Sequence, residues 1–210
     1  MNKYVPTECI DFKPTIVVDI DDTIVHFLKT LTLLYYAKMG RLIDVADFTR
    51  WDMKGLLFDT GEEVVIRGIA VEKFFKSNEH AIYNYSLPIH GAKTSLDIFK
   101  QRGYHVLGIT SRPAKFLDLT REHIFKNALQ VDEVIAGVKD KATLIDELNT
   151  FKYDIRYFID DGGHHLKSVS EKCLFLDQVF GIEMPHNHDI RDMKNVTWVR
   201  DITGTVKYIL

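Results

Sequence analysis

The sequence predicts an α/β protein: a parallel sheet covered by helices, with a helical segment inserted after the first strand. Three observations carry that prediction. Short apolar runs rich in Val and Ile recur at residues 15–18, 104–109, 133–136 and 156–159, with weaker ones at 173–176 and 196–199. They barely alternate, which is the pattern of strands buried on both faces. Helical patterns lie between most of them, and strands alternating with helices imply parallel pairing through crossovers. Finally, about eighty residues separate the first run from the second, far more than one crossover helix needs.

The elements follow in order. Residues 15–18 are the first strand. A helix is expected over 24–39, stopping at Gly40, and another over 61–77, carrying Val64, Val65, Ile69, Val71, Phe74 and Phe75. This inserted stretch is rich in aromatic residues, among them Phe27, Tyr35, Phe48, Trp51, Phe58, Tyr83 and Tyr85. Most of these read as its own small core, and a few near the sheet mouth as surfaces on which a ligand could stack. A helix over 92–102 has Leu96, Ile98 and Phe99 on its apolar side and stops at Gly103. Ser111, Arg112 and Pro113 supply a start signal for a helix over 114–129, and a further helix is expected over 140–148. The division that results is an α/β core of residues 1–25 and 88–210 with a helical cap of 26–87.

Composition narrows the function. At 210 residues the chain is one domain with an insertion, and no internal repeat period is visible. A hydrophobic fraction of 46% with 27% charged residues is ordinary for a globular chain and argues against long disorder. Lys plus Arg number 27 against 30 for Asp plus Glu, so no global basic field attracts a nucleic-acid polymer. A local positive site for a small anion remains open. Cys9 and Cys173 are too few for a disulfide framework or a Cys-rich zinc site. The first ten residues lack an apolar signal core, and no window approaches the roughly 20 apolar residues that span a bilayer. The expectation is a soluble, cytoplasmic protein without a membrane partner.

The most informative segment is residues 15–24. A buried strand runs into Asp19, Asp21 and Asp22, and ligands of parallel sheets bind beyond the carboxyl ends of the strands. Asp19 and Asp21 are two apart, so on extended backbone their side chains start toward the same side. Like charges packed together need a cation or a shifted proton, and carboxylates without thiolates suit a hard ion such as Mg²⁺. Taken alone, the segment also fits a solvated acidic turn. A second strand end carries Asp160 and Asp161, a third carries Thr110, Ser111 and Arg112 at a helix start that favours an anion, and Lys139 and Lys141 follow the third run. His164, His165, His186 and His188 have no spacing that makes a single-helix ligand face, and they read as polar residues at the rim of the site rather than a zinc cluster.

This ordered set resembles the haloacid dehalogenase (HAD) superfamily of phosphohydrolases: hhhhDxDxT at residues 15–23, a strand ending in Thr110, a lysine, then an apolar strand end followed by Asp-Asp at 158–161. The resemblance implies a Rossmann-like parallel core, with the insertion at the family's C1 cap position. Asp21 points toward phosphoryl chemistry, because a dehalogenase does not need that second acid. A closer resemblance is to the 5'(3')-deoxyribonucleotidases. Phe27 lies eight residues after Asp19, as does their base-facing aromatic, and Phe48, Thr49, Arg50, Trp51 and Asp52 resemble their cap segment. Pro88 to Gly91 and Ala92 resemble the segment leading back to the core, and Lys139, Asp140 and Lys141 their Arg-Asp-Lys, which favours Lys141 over Lys139. Pro185, His186 and Asn187 resemble a late segment of the same group. His26, where an acid is usual, and Gly162 and Gly163, where an arginine is common, depart from it at the substrate end.

The resemblance implies roles. Asp19 is the nucleophile that forms an aspartyl-phosphate, and Asp21 the general acid and base. Thr110 and Lys141 hold the phosphoryl oxygens. Mg²⁺ would be held by Asp19, the backbone carbonyl of Asp21, Asp161 and, directly or one shell out, Asp160. Phe27, Trp51, Ser111 and Arg112 are candidate substrate contacts, although Arg112 also reads as a surface residue at a helix start. The substrate implied is a nucleoside monophosphate, most simply a deoxyribonucleotide. The alternatives are a phosphatase of another small phosphate such as a sugar phosphate, a phosphotransferase using the same intermediate, and a catalytically silent module that binds metal and nucleotide. The sequence leaves the oligomeric state open, a homodimer included.

Overall fold

The structure, a computed structural model, describes residues 12–50 and 63–209. Six strands form one sheet in the order β3-β2-β1-β4-β5-β6, and every pairing is parallel. The strands are β1 (Pro14–Val18), β2 (His105–Thr110), β3 (Glu133–Ala136), β4 (Asp154–Asp160), β5 (Gln178–Ile182) and β6 (Thr197–Val199). The helices are α1 (Phe27–Met39), α2 (Glu63–Tyr85), α3 (Ala92–Gln101), α4 (Leu117–Lys126), α5 (Lys141–Phe151), α6 (Gly163–Lys172) and α7 (Thr203–Ile209). The expected α/β class with a parallel sheet is what the chain adopts. From β1 the chain builds β2 and β3 on one side, then crosses to β4, β5 and β6 on the other. The strand order therefore reverses beside β1, and a crevice opens there at the carboxyl edge.

Side-chain alternation explains the two cores. Along β1, Ile16 and Val18 point to one face and Val17 to the other. The first face meets Leu96 and Phe99 of α3, Ile124 of α4 and Ile209 of α7. The second meets Ala142 and Ile145 of α5 and Leu166 and Val169 of α6. A third cluster unites Leu28, Leu31 and Tyr35 of α1 with Ile43, Phe48, and Val71 and Ile82 of α2. Most of the aromatics read as core do pack in this region, Tyr35 against Phe74 at 5.0 Å among them. Trp51, Phe58 and Cys9 lie outside the described residues.

Two expectations are corrected. The run at 173–176 is not a strand: Cys173 closes α6, Leu174 is exposed in the turn that follows, and the strand is β5, further on. The helix expected over 114–129 is shorter, a 3₁₀ turn at Ala114–Phe116 leading into α4. Helix α1 stops as expected at Gly40, whose φ of 66° places it in the left-handed region and whose N–H closes on the Tyr36 carbonyl. Gly91, before α3, has φ of 79°, and the Thr203 side chain occupies the space a Cβ would take. Gly91→Ala therefore combines left-handed strain with a clash. We expect a loss of roughly 2–4 kcal/mol, read as a lower midpoint in urea unfolding with an unchanged slope.

Candidate active site

Asp19 follows β1 directly, and its N–H donates to the Ile159 carbonyl of β4. That bond holds it beside Asp160, the last residue of β4, and Asp161. Thr110 ends β2, on the other side of β1. Lys141 opens α5, whose first turn is capped by the Asp140 carboxylate on the Thr143 N–H at 3.2 Å. Buried to 1% exposure, Lys141 donates from Nζ to Asp19 Oδ1 at 2.5 Å and to Asp160 Oδ2 at 2.7 Å. Lys139 is exposed. Thus Asp19, Thr110, Lys141, Asp160 and Asp161, far apart in sequence, line one cavity of about 330 Å³.

The site is strongly acidic. Asp19, Asp21, Asp22, Asp160 and Asp161 line the cavity, where Lys141 pairs with Asp19 and Asp160 and Arg112 pairs with Asp21. Burial pushes the Asp19 carboxyl well above its ordinary range; Lys141 opposes this, while Asp160, Asp161 and Asp21 add to it. Asp22 is pushed up by burial and by Asp161. Burial would lower the Lys141 ammonium, but Asp160 and Asp19 outweigh it and hold it above its usual value. One oxygen each from Asp19, Asp160 and Asp161 lie within 4.8 Å of one another. Hard oxygen donors held this close together fit a divalent cation.

Asp22 has a role that sequence reading missed. Its φ of 53° turns the chain sharply, and both carboxylate oxygens accept from the Leu28 N–H at 3.1 Å. It caps the N-terminus of α1 from outside the helix, where a negative group is favourable. Asp161 is fixed similarly: His186 Nε2 lies 2.9 Å from its carboxylate, and Asn187 Nδ2 donates to its carbonyl at 2.7 Å. Burial alone would lower His186, but the Asp161 contact raises it above its ordinary value. His165 also lines the cavity, and burial, helped by Lys141 and His164, pushes it down to about 3. His188 is not among the cavity residues. The late Pro185–Ile190 turn is thus the part of the site that sequence spacing signalled only weakly.

The substrate candidates divide. Phe27 lines the cavity with Phe48, Phe75 and Tyr83, its ring edge-on to Phe75 at 5.4 Å and stacked on Tyr83 at 6.1 Å. Ser111 lines it too, donating to the Val138 carbonyl at 2.9 Å. Arg112 is present, but its guanidinium is engaged by Asp21 rather than open to a ligand: Nε donates to Oδ2 at 2.9 Å and Nη2 to Oδ1 at 2.6 Å. Trp51 lies outside the described residues.

Nearby, His123 of α4 ties the core to the end of α2, with Nε2 2.5 Å from the Ser86 carbonyl and Nδ1 buried without a partner. Burial holds this imidazole below its ordinary value, against the pull of the Ser86 carbonyl. A depressed folded value means the unfolded chain binds the extra proton. Its contribution to stability is present above about pH 6.5 and is lost as pH falls below that. We expect His123→Gln to flatten the decline of Tm between about pH 7 and 5, checked by melts across that range.

Solved structures share this architecture. One described as a predicted phosphoglycolate phosphatase from Haemophilus somnus aligns with a TM-score of 0.61 and 16% identity, over 95% of this chain and 98% of its own. One described as a predicted phosphatase from Clostridium acetobutylicum gives 0.59 and 16%, over 94% and 98%. A HAD-superfamily hydrolase of subfamily IA from Geobacter sulfurreducens gives 0.55 and 12%, over 93% and 99%. No protein-family model and no curated protein matches the sequence. The fold is therefore that of the HAD hydrolases, an α/β architecture with a Rossmann-like parallel sheet. Among the described residues, no helix is long and apolar enough to cross a membrane.

Proposed function

We propose that the chain is a Mg²⁺-dependent phosphomonoesterase that works through an aspartyl-phosphate on Asp19. The observation that carries this is the convergence of Asp19, Lys141, Thr110 and Asp161 from four separate segments on one cavity at the carboxyl edge of the sheet. Asp19 attacks phosphorus in line, and Asp21 gives a proton to the departing oxygen, then takes one from the hydrolytic water. Thr110 and Lys141 hold phosphoryl oxygens, so much of the catalysis is charge stabilisation and positioning. Asp19, the Asp21 carbonyl and Asp161 would hold the ion. Both oxygens of Asp160 already accept, from Lys141 and from the Gly162 N–H at 2.7 Å, which fits Asp160 to supporting that shell. When bound, Mg²⁺ neutralises the phosphate and lets an anionic nucleophile approach it.

Residues 26–87 form the cap in this reading, closing over the site and excluding bulk water. The aromatic wall of Phe27, Phe48, Phe75 and Tyr83 favours a substrate with a planar group, a nucleoside monophosphate and most simply a deoxyribonucleotide. A second reading, a phosphosugar or similar small phosphate, is favoured by the charged residues Arg50, Glu72, Lys76 and Glu79 in the cavity lining, and by the predicted phosphoglycolate phosphatase among the fold neighbours.

The test is phosphate release from deoxy- and ribonucleoside monophosphates and sugar phosphates, with Mg²⁺ or with chelator. Turnover concentrated on nucleotides supports the first substrate. Turnover on sugar phosphates alone keeps the chemistry and discards that substrate. Absence of Mg²⁺-dependent turnover across the whole panel sinks the phosphatase reading.

A further inference from the structure

We propose that Arg112 is a positioning residue for Asp21, and that this pair governs how well the enzyme expels poor leaving groups. The inference rests on the phosphomonoesterase reading and deepens it. Arg112 is 2% exposed, an unusual place for a guanidinium, and each of its ends is accounted for. Nε and Nη2 form a fork on the two oxygens of Asp21. Nη1 donates to Thr120 Oγ1 of α4 at 3.3 Å. The Tyr83 ring of α2 covers the guanidinium, with its carbon 4.5 Å from the ring centroid. The main chain is fixed as well: the Arg112 N–H donates to Thr110 Oγ1 at 3.2 Å, and its carbonyl accepts from Gly137 at 2.7 Å.

A phosphate clamp would leave donors facing the cavity. Here the fork is closed on a carboxylate, and a bidentate guanidinium fixes both the plane and the distance of its partner. Asp21 lies beyond the end of β1, in the segment that leads to α1. The fork constrains it from a residue 91 positions away. Helix α2 supports it by laying Tyr83 over the guanidinium.

The consequence lies in the first half-reaction. The bond from Asp19 Oδ to phosphorus forms while the bond from phosphorus to the substrate oxygen breaks, its electron pair going to that oxygen. The Asp21 carboxyl proton moves to the same oxygen, releasing an alcohol and leaving a carboxylate in the fork. An alkoxide needs that proton, whereas a nitrophenolate leaves without it. Misplacing Asp21 therefore penalises substrates in proportion to the basicity of their leaving group.

The experiment is a leaving-group series, from alkyl phosphates through phenyl and 4-nitrophenyl to 2,4-dinitrophenyl phosphate, with wild type, R112A, R112K, D21N and the R112A/D21N double variant, in saturating Mg²⁺. We expect R112A to lose on the order of 10²-fold or more in kcat on alkyl phosphates and far less on the dinitrophenyl ester, steepening the dependence on leaving group. R112K keeps the charge but not the fork, and should steepen it in smaller measure even if R112A does not fold. Adding R112A to D21N should cost little beyond D21N alone, since both act through one group. Equal losses across the series, or losses that multiply in the double variant, overturn the positioning role and leave a buried structural ion pair. A wild-type chain inactive on the entire series overturns the phosphomonoesterase reading, and this proposal with it.

Discussion

Asp19→Asn is expected to lower phosphate release by at least about 10⁴-fold while leaving the fold intact, because an amide cannot attack phosphorus. Its effect on stability should have the opposite sign. Burial and the neighbouring acids raise the Asp19 carboxyl, so in the folded chain its ionised form is disfavoured relative to the unfolded chain. A raised carboxyl value costs stability above the unfolded value of about 3.9, which includes neutral pH. Asn removes that cost, and Lys141 retains its bond to Asp160. Measured in chelator, the variant should melt at or above the wild-type temperature, the exchange of stability for function expected of a nucleophile held in a repulsive cluster. A variant that keeps substantial activity removes Asp19 from the nucleophile's role.

Lys141→Met is expected to be damaging in both respects. Its ammonium is the buried cation between Asp19 and Asp160, and removing one partner of a buried ion pair costs about 3–5 kcal/mol. Loss of a donor to the phosphoryl oxygens should reduce kcat by a further 10²-fold or more, on the order seen when one such donor is removed. The pH dependence distinguishes this from simple misfolding. The folded value of Lys141 is raised, so its contribution is complete through the neutral range and fades only as pH rises well above about 10.4. In the variant, the uncompensated carboxylates prefer to be protonated, so its stability should climb as pH falls from 7 to about 5. Chemical denaturation at several pH values reads that slope directly. A variant no less stable than wild type at pH 7 contradicts the role assigned to this pair.

The fold was legible where local pattern and burial coincide. Strands β1 to β4 are short apolar runs, β1 and β2 buried along almost their whole length, and their positions follow from that pattern. Strand β5 was obscured because it opens on Gln178, holds Gly181, and is preceded by the more apolar turn at Leu174, Phe175 and Leu176. Gly181 is there because the Trp198 ring of β6 lies where its Cβ would be, a reason that exists only in three dimensions. Helix α6 begins Gly163, His164, His165 and buries a stripe as narrow as Leu166 and Val169, too little periodicity to announce itself.

In the site, the motif residues were legible because each lies at or just after a strand end or at a helix start. Lys141, Thr110, Asp160 and Asp161 line the cavity with Asp19 as their spacing implied. Their partners were not legible. That Arg112 turns to Asp21, that Asp22 caps α1, and that His186 meets Asp161 all depend on how distant segments cross. Each of these residues was visible as a charged group near a motif. What no spacing could show was which group it faces.

In the proposed mechanism, phosphorus passes through Asp19. The most direct measurement is an acid quench of wild-type chain turning over its best substrate with Mg²⁺, followed by mass spectrometry of the peptide that contains residues 14–29. The expected result is one acid-stable, base-labile phosphoryl group on Asp19, absent from Asp19→Asn and discharged when substrate is exhausted. Active enzyme whose Asp19 never carries phosphate, or a phosphoryl group found on another residue at each quench time, would contradict it.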